Sequence, residues 1–349
     1  MKRRISIICI IAILICTMNG CTFTEVLSRT KSQDNTLKIG ISVYDQYDTF
    51  ISSVVDYFKE WAKKKEQEAD ITITIDLQNA GGNQSVQNDQ MGLFVSGGCD
   101  VVLINLVDRT DATVVIDKAK NAEIPVIFFN RELVKEDLER WDQLYYVGAV
   151  ALESGEMEGQ ILLDACKEHF NEFDKNHDGK LQYVILEGEA GHQDALVRTE
   201  YVVNTVTKGG IVLEKLGNEI ANWNRAQATS KMKVWLNEFG ENIEVVFANN
   251  DDMALGAIDA LEGWDKKEWP VILGIDGTKE ALQAVKNGGL LGTVLNDAKG
   301  QSRSMLELAC FLKFRTNLPD DIILLDDKSI RLPHKIVTID NVEQIILDR

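Results

Sequence analysis

A chain of 349 residues, 45% of them apolar, is long enough to bury the cores of two domains, which excludes a small scaffold stapled by disulfides. Its 55 acidic against 37 basic side chains leave a formal charge of −18, which repels phosphate backbones, so nucleic acid is excluded as a partner. The charge is spread along the sequence rather than gathered in an acidic tail, as suits a soluble surface.

At the N-terminus, Lys2-Arg3-Arg4 precedes an apolar run from Ile5 to Met18 that is too short to span a bilayer and fits the core of a signal peptide, expected over residues 1–20. The run ends in Met18-Asn19-Gly20-Cys21, which resembles the lipobox of bacterial lipoproteins. That resemblance implies a diacylated Cys21 and a lipid anchor on the extracytoplasmic face of the membrane; the alternative is cleavage nearby with Cys21 left as an unmodified thiol. Residues 21–36 are polar and aperiodic, as a tether would be. Cys9 and Cys16 fall in the signal, and Cys99, Cys166 and Cys310 have no paired or metal-like spacing, so they are expected to be core thiols.

From Leu37 onward, short β-rich runs alternate with stretches of helical periodicity, the pattern of βαβ units and parallel sheets. LKIGISV (37–43), ITITIDLQ (71–78), DVVLIN (100–105) and PVIFFN (125–130) form a first strand series, followed by LQYVILEGE (181–189), IVLEKL (211–216), IEVVFAN (243–249) and PVILGID (270–276). Two such series without a long linker predict two doubly wound Rossmann-like α/β lobes. The remainder, with a strand GTVLN, a helix near 301–312 and a short strand near 335–339, is too small for a third lobe and is expected to cross back and complete each sheet.

In open α/β sheets ligands sit beyond the carboxyl ends of the strands. The residues there share a chemistry: Asp48 and Phe50 after the first strand, Asn130 after the fourth, His192, Asp194 and Arg198 in GHQDALVR, then Asn250, Asp276 and Asn296. Each Asn or Asp alone is explained equally well as a helix cap. As a set drawn from both lobes, with an arginine and a histidine, they suit a sugar, whose hydroxyls both donate and accept and cost ~1–3 kcal/mol each when buried unpaired. Phe50 and Trp223 add flat apolar faces against which a pyranose can stack, core packing being the plain alternative.

The segments YDTF (47–50), QNDQ (87–90), INLVD (104–108), PVIFFN (125–130), YYVG (145–148), GHQDALVR (191–198), NNDDMALGA (249–257) and GTVLNDA (292–298) resemble the bacterial periplasmic galactose/glucose-binding proteins, the receptors of monosaccharide ABC importers. The resemblance runs from about Lys38 to beyond Asn296. It implies a periplasmic binding protein type 1 fold with a three-strand hinge. The expected lobes are 37–148 with 297–328 and 149–296 with 329–349. It also implies a monomer that delivers D-galactose or D-glucose to a membrane permease, with sugar contacts at Asp48, Asn130, His192, Asp194, Arg198, Asn250, Asp276 and Asn296 and stacking on Phe50 and Trp223. Asp45-Gln46-Tyr47 departs from the family's pattern, so the rim of the pocket is expected to differ.

Asp174, Asn176, Asp178, Gly179 and Gln182 occupy positions 1, 3, 5, 6 and 9 of an EF-hand loop, but position 12 is Ile185, so the residues alone leave open a simple Asn/Asp/Gly turn. The resemblance implies a structural calcium site completed by the distant Glu244 and the backbone carbonyl of Lys180. An enzyme with His192 as general base is disfavoured by the absence of a nucleophile elbow, phosphate loop, dinucleotide fingerprint or zinc spacing. A sugar-responsive transcriptional regulator would need a helix-turn-helix where this chain has a signal. A receptor that reports sugar to a chemoreceptor or sensor kinase, or a binder of another aldopyranose such as xylose, stays open.

Overall fold

In the computed structural model, which describes residues 35–265 and 268–348, the chain builds two α/β lobes, each on a six-stranded sheet. The expected signal segment, Cys21 and most of the expected tether lie outside the described residues.

The first lobe runs β1 (Thr36–Val43), α1 (Thr49–Ala69), β2 (Thr72–Asn79), α2 (Gln84–Gly97), β3 (Val101–Ile104), α3 (Thr113–Ala122), β4 (Val126–Phe129), a turn of helix α4 (Lys135–Leu138) and β5 (Leu144–Gly148). The second runs α5 (Ala151–Phe173), β6 (Leu181–Glu187), α6 (Gln193–Lys208), β7 (Leu213–Ile220), α7 (Arg225–Glu238), β8 (Val245–Ala248), α8 (Asp251–Glu262), β9 (Val271–Asp276), α9 (Lys279–Lys286) and β10 (Gly292–Leu295). The chain then returns to the first lobe for α10 (Ala298–Phe314) and β11 (Ser329–Arg331), and ends in the second with β12 (Lys335–Thr338) and α11 (Val342–Leu347).

The sheet orders are β11-β5-β4-β3-β1-β2 and β12-β10-β9-β8-β6-β7, parallel throughout except that β12 runs antiparallel to β10. Because helices cover both faces, the central strands read as continuous apolar runs, and β3, β4, β6 and β8 are buried along their whole length. Alternation still sorts their side chains between two cores: Val184 and Leu186 of β6 pack with α7 and α8, while Tyr183 and Ile185 pack with α5 and α6. Edge strands β2 and β7 are only partly covered.

The chain passes between lobes after β5, after β10 and after β11. The third crossing falls between Arg331 and Lys335, so the expected boundary at 328 is corrected: Ser329–Arg331 pairs with Tyr146–Gly148 in the first lobe. A strand of that length has no periodicity to betray its sheet. The tether is likewise shorter by one residue at its end, since β1 opens at Thr36. Cys99, Cys166 and Cys310 are buried free thiols, as their spacing led us to expect.

Candidate functional site

Each sheet reverses its winding beside its first strand, between β1 and β3 in one lobe and between β6 and β8 in the other, and the loops there face each other across a cleft. They form a cavity lined by Tyr44, Asp48, Phe50, Ile51, Asn130, Arg131, His192, Asp194, Arg198, Trp223, Asn250 and Asp276. Nine of the ten residues singled out from the strand ends are therefore brought together.

Capping and lining are not alternatives here. Asp48 caps α1 through Oδ1, which accepts from the Ile51 N–H at 2.8 Å, while Oδ2 accepts from the Tyr44 hydroxyl at 2.6 Å. Asn250 caps α8 by accepting from the Met253 N–H, and its Nδ2 donates to the Trp223 carbonyl at 3.3 Å. His192 caps α6 with Nδ1, which accepts from the Asp194 N–H at 3.1 Å. That bond leaves Nε2 as the protonated nitrogen. Burial, reinforced by the guanidinium groups of Arg131, Arg198 and Arg109, holds His192 neutral by driving its pKa down to about 2.

Arg198 enters from α6 almost fully buried. Its Nε donates to Ser154 Oγ at 3.1 Å and Nη1 to the Asn249 carbonyl at 2.8 Å, which leaves Nη2 beside Asp194 Oδ2 at 4.0 Å. Burial raises the pKa of Asp194 and, more strongly, of Asp276, against the lowering influence of Arg198; the neighbouring Asp251, Asp48 and Asp252 push Asp276 further up. No protein donor reaches the Asp276 carboxylate among the described residues, so its oxygens are left to the cavity. Its backbone, at φ 125°, shares the positive-φ region with Asn130 (59°) and Trp223 (61°). Three non-glycine residues held there around one cavity are strain of the kind that accompanies a built site.

Phe50 comes from the first lobe and Trp223 from the second, where the indole meets His192 edge-on at 5.2 Å. With carboxylates, amides, an imidazole N–H and a guanidinium between two aromatic faces, the cavity complements a small polyhydroxylated molecule. Asn296 is the exception among the expected contacts. It is buried, but its Oδ1 is taken by Gln301 Nε2 at 2.7 Å and it does not line the cavity. Tyr44 and Arg131 were missed, although each directly adjoins a strand end or a named residue. Their stacking, with the guanidinium 3.5 Å above the Tyr44 ring, needs the folded structure to be visible.

The loop after α5 forms away from this cavity. Asp174 accepts from the Asp178 and Gly179 N–H groups, Asn176 Nδ2 donates to Gln182 Oε1, and Gln182 Nε2 donates to Asp178 Oδ2. Gly179 takes the left-handed turn at φ 82°. Glu244 arrives from the strand entry at β8 and accepts from the N–H groups of Lys175 at 2.6 Å and Gln182 at 2.9 Å. The Lys180 side chain pairs with Glu214 and takes no part. Among the described residues no group of three acid, histidine or cysteine side chains converges as metal ligands. Yet Asp174 and Glu244 are 4% and 1% exposed, adjacent and without a salt bridge, a pairing of buried anions that a cation would relieve. The donor set, hard oxygens with amides, is that of calcium.

A family model described as periplasmic binding protein domain matches residues 39–313. The D-galactose/methyl-galactoside binding periplasmic protein of Haemophilus influenzae is 38% identical over 87% of this chain and 90% of its own. The ribose import binding protein of Bacillus subtilis is 26% identical over 84% of this chain and 88% of its own. Among solved structures, an ABC transporter solute binding protein from Bacillus halodurans with bound myo-inositol superposes with a TM-score of 0.75 at 28% identity, covering 91% of this chain and all of that one. The two-lobed chain belongs to the periplasmic binding protein family, whose members bind solutes outside the cytoplasm and are not enzymes.

Proposed function

We propose that this protein captures one molecule of D-galactose or D-glucose between its lobes and delivers it, as a monomer, to a membrane ABC permease. The observation that carries the reading is the convergence of Asp48, Asn130, His192, Asp194, Arg198, Asn250 and Asp276 from both lobes between Phe50 and Trp223. A ligand held by both lobes favours their closing on it. The likeness to a D-galactose/methyl-galactoside binding protein supports the hexose assignment. Calcium held by Asp174, Asn176, Asp178, Gln182, Glu244 and the Lys180 carbonyl would fasten the second lobe, and acylation of Cys21 would tether the protein to the membrane.

Isothermal titration against galactose, glucose, xylose, ribose and myo-inositol tests the reading. The two hexoses should bind within tenfold of each other and at least about a hundredfold more tightly than the rest, a gap of ~2.7 kcal/mol. Equal or tighter binding of ribose or inositol would overturn it.

A further inference from the structure

Outside the cavity, hydrogen-bonded contacts also join the two lobes. Thr49 Oγ1 donates to Asp252 Oδ2 at 2.6 Å, and Arg131 Nη2 donates to Glu189 Oε2 at 2.7 Å. The second differs in how it is built. Arg131 stands on the first lobe, where Nη1 donates to the Val107 carbonyl at 2.8 Å and the guanidinium plane rests on Tyr44. Both contacts come from the first lobe itself, so the cation is oriented independently of the second lobe, and with the lobes together its side chain is 4% exposed. Glu189, from the loop after β6, has 43% of its side chain exposed and lines the neighbouring groove rather than the cavity.

We propose that Glu189 is a latch residue: by pairing across the cleft with the preorganised Arg131 it holds the lobes shut over the bound sugar and slows its release, without touching the sugar. The proposal rests on the functional reading above. Because the two halves of the pair come from different lobes, it forms only when the lobes are together. It therefore opposes reopening while leaving the first encounter with ligand unchanged. Exposed ion pairs contribute little because both side chains must be immobilised, but here one partner is fixed in advance by two other contacts.

The test measures galactose association and release by stopped flow for the full chain and for Glu189→Gln, at low and high salt. Release from the variant should be about three- to tenfold faster, with association within twofold of the parent and the galactose-to-glucose affinity ratio unaltered. Added salt should speed release from the parent and not from the variant, since screening acts on the pair that the variant lacks. A purely structural role would not produce that split, and an unchanged melting temperature confirms that the variant folds. Release at the parent's rate overturns the latch, and so does an altered epimer ratio, which would place Glu189 against the sugar. A parent chain that captures neither hexose would bring down the functional reading itself, an outcome distinct from either of these.

Discussion

Gly188 lies so close beneath the Trp223 indole that a Cβ placed on it would sit 2.2 Å from both Cη2 and Cζ2 of the ring. The end of β6 has no side chain at this point because the indole occupies that space. Trp223 itself is held by its left-handed backbone and by Asn250, whose amide donates to its carbonyl. One wall of the cavity thus depends on an absent methyl group at the first residue after β6.

Gly188→Ala should consequently push the indole out of place and weaken hexose binding by about thirtyfold or more, while costing the fold only the ~1–3 kcal/mol of a local overpacking. Titration calorimetry with thermal unfolding of the same sample checks both halves. Parent-like affinity in the variant would mean that Trp223 is not a stacking surface.

Glu158 of α5 is buried with no hydrogen-bond partner for either carboxylate oxygen among the described residues. Burial raises its pKa to about 8, an effect that the positive charge of Arg198 offsets only in part. The folded chain therefore holds a proton that the unfolded chain gives up above its ordinary value of 4.5. Stability from this group is fully present below pH 4.5 and is lost as pH rises towards 8, at ~1.4 kcal/mol per pH unit. Glu158→Gln removes that slope. Its stability relative to the parent should grow by up to ~3 kcal/mol between pH 5 and pH 7.5 in denaturant titrations, and a pH-independent difference would show that Glu158 ionises normally.

Much of this was legible in the sequence because the fold writes its site at strand ends. Asp48, His192 and Asn250 stand where an apolar run stops, and the same oxygen or nitrogen that caps the next helix fixes the side chain at the cavity. What the sequence hid depends on contacts between distant segments. Nothing local marks Arg131 as the cation that stacks on Tyr44, Glu189 as its partner across the cleft, or Gly188 as the bed of Trp223. Asn296 shows a limit of the strand-end signal: its position is as expected, but Gln301, one turn into α10, occupies its carbonyl oxygen, a contact the local sequence does not announce.

The DKNHDGKLQ loop gives a prediction for ion removal. If calcium binds only the folded chain, it adds RT ln(1 + [L]/Kd), or ~2.7 kcal/mol at a hundredfold excess over Kd, and raises the melting temperature by several degrees. Chelation should reverse the rise, and Asp178→Ala, which removes an oxygen at position 5, should abolish it. A variant that responds to calcium like the parent would place the ion elsewhere.

The last prediction concerns the two hexose epimers and rests on Asp48. The resemblance to the galactose/glucose-binding proteins implies that this carboxylate meets the fourth hydroxyl, which is axial in galactose and equatorial in glucose. With Oδ1 fixed by the Ile51 N–H and Oδ2 by the Tyr44 hydroxyl, the carboxylate is immobile, yet each oxygen keeps a further lone pair for ligand. One rigid acceptor can therefore serve either epimer. The altered rim does not interfere: Tyr47 is 81% exposed, and neither it nor Asp45 nor Gln46 lines the cavity. Affinities for the two sugars should thus differ by less than about 1.4 kcal/mol, roughly tenfold. Asp48→Asn separates the roles of the residue, because an amide oxygen still caps α1 while the charge is gone. Both sugars should then lose ~1.5–2 kcal/mol together with little change in melting temperature, whereas Asp48→Ala should add ~1 kcal/mol of lost capping to the cost. Parallel titrations of both sugars against parent and variants decide the matter: a thousandfold preference in the parent, or a loss in Asp48→Asn confined to one epimer, would show that the pocket selects by a group other than this carboxylate.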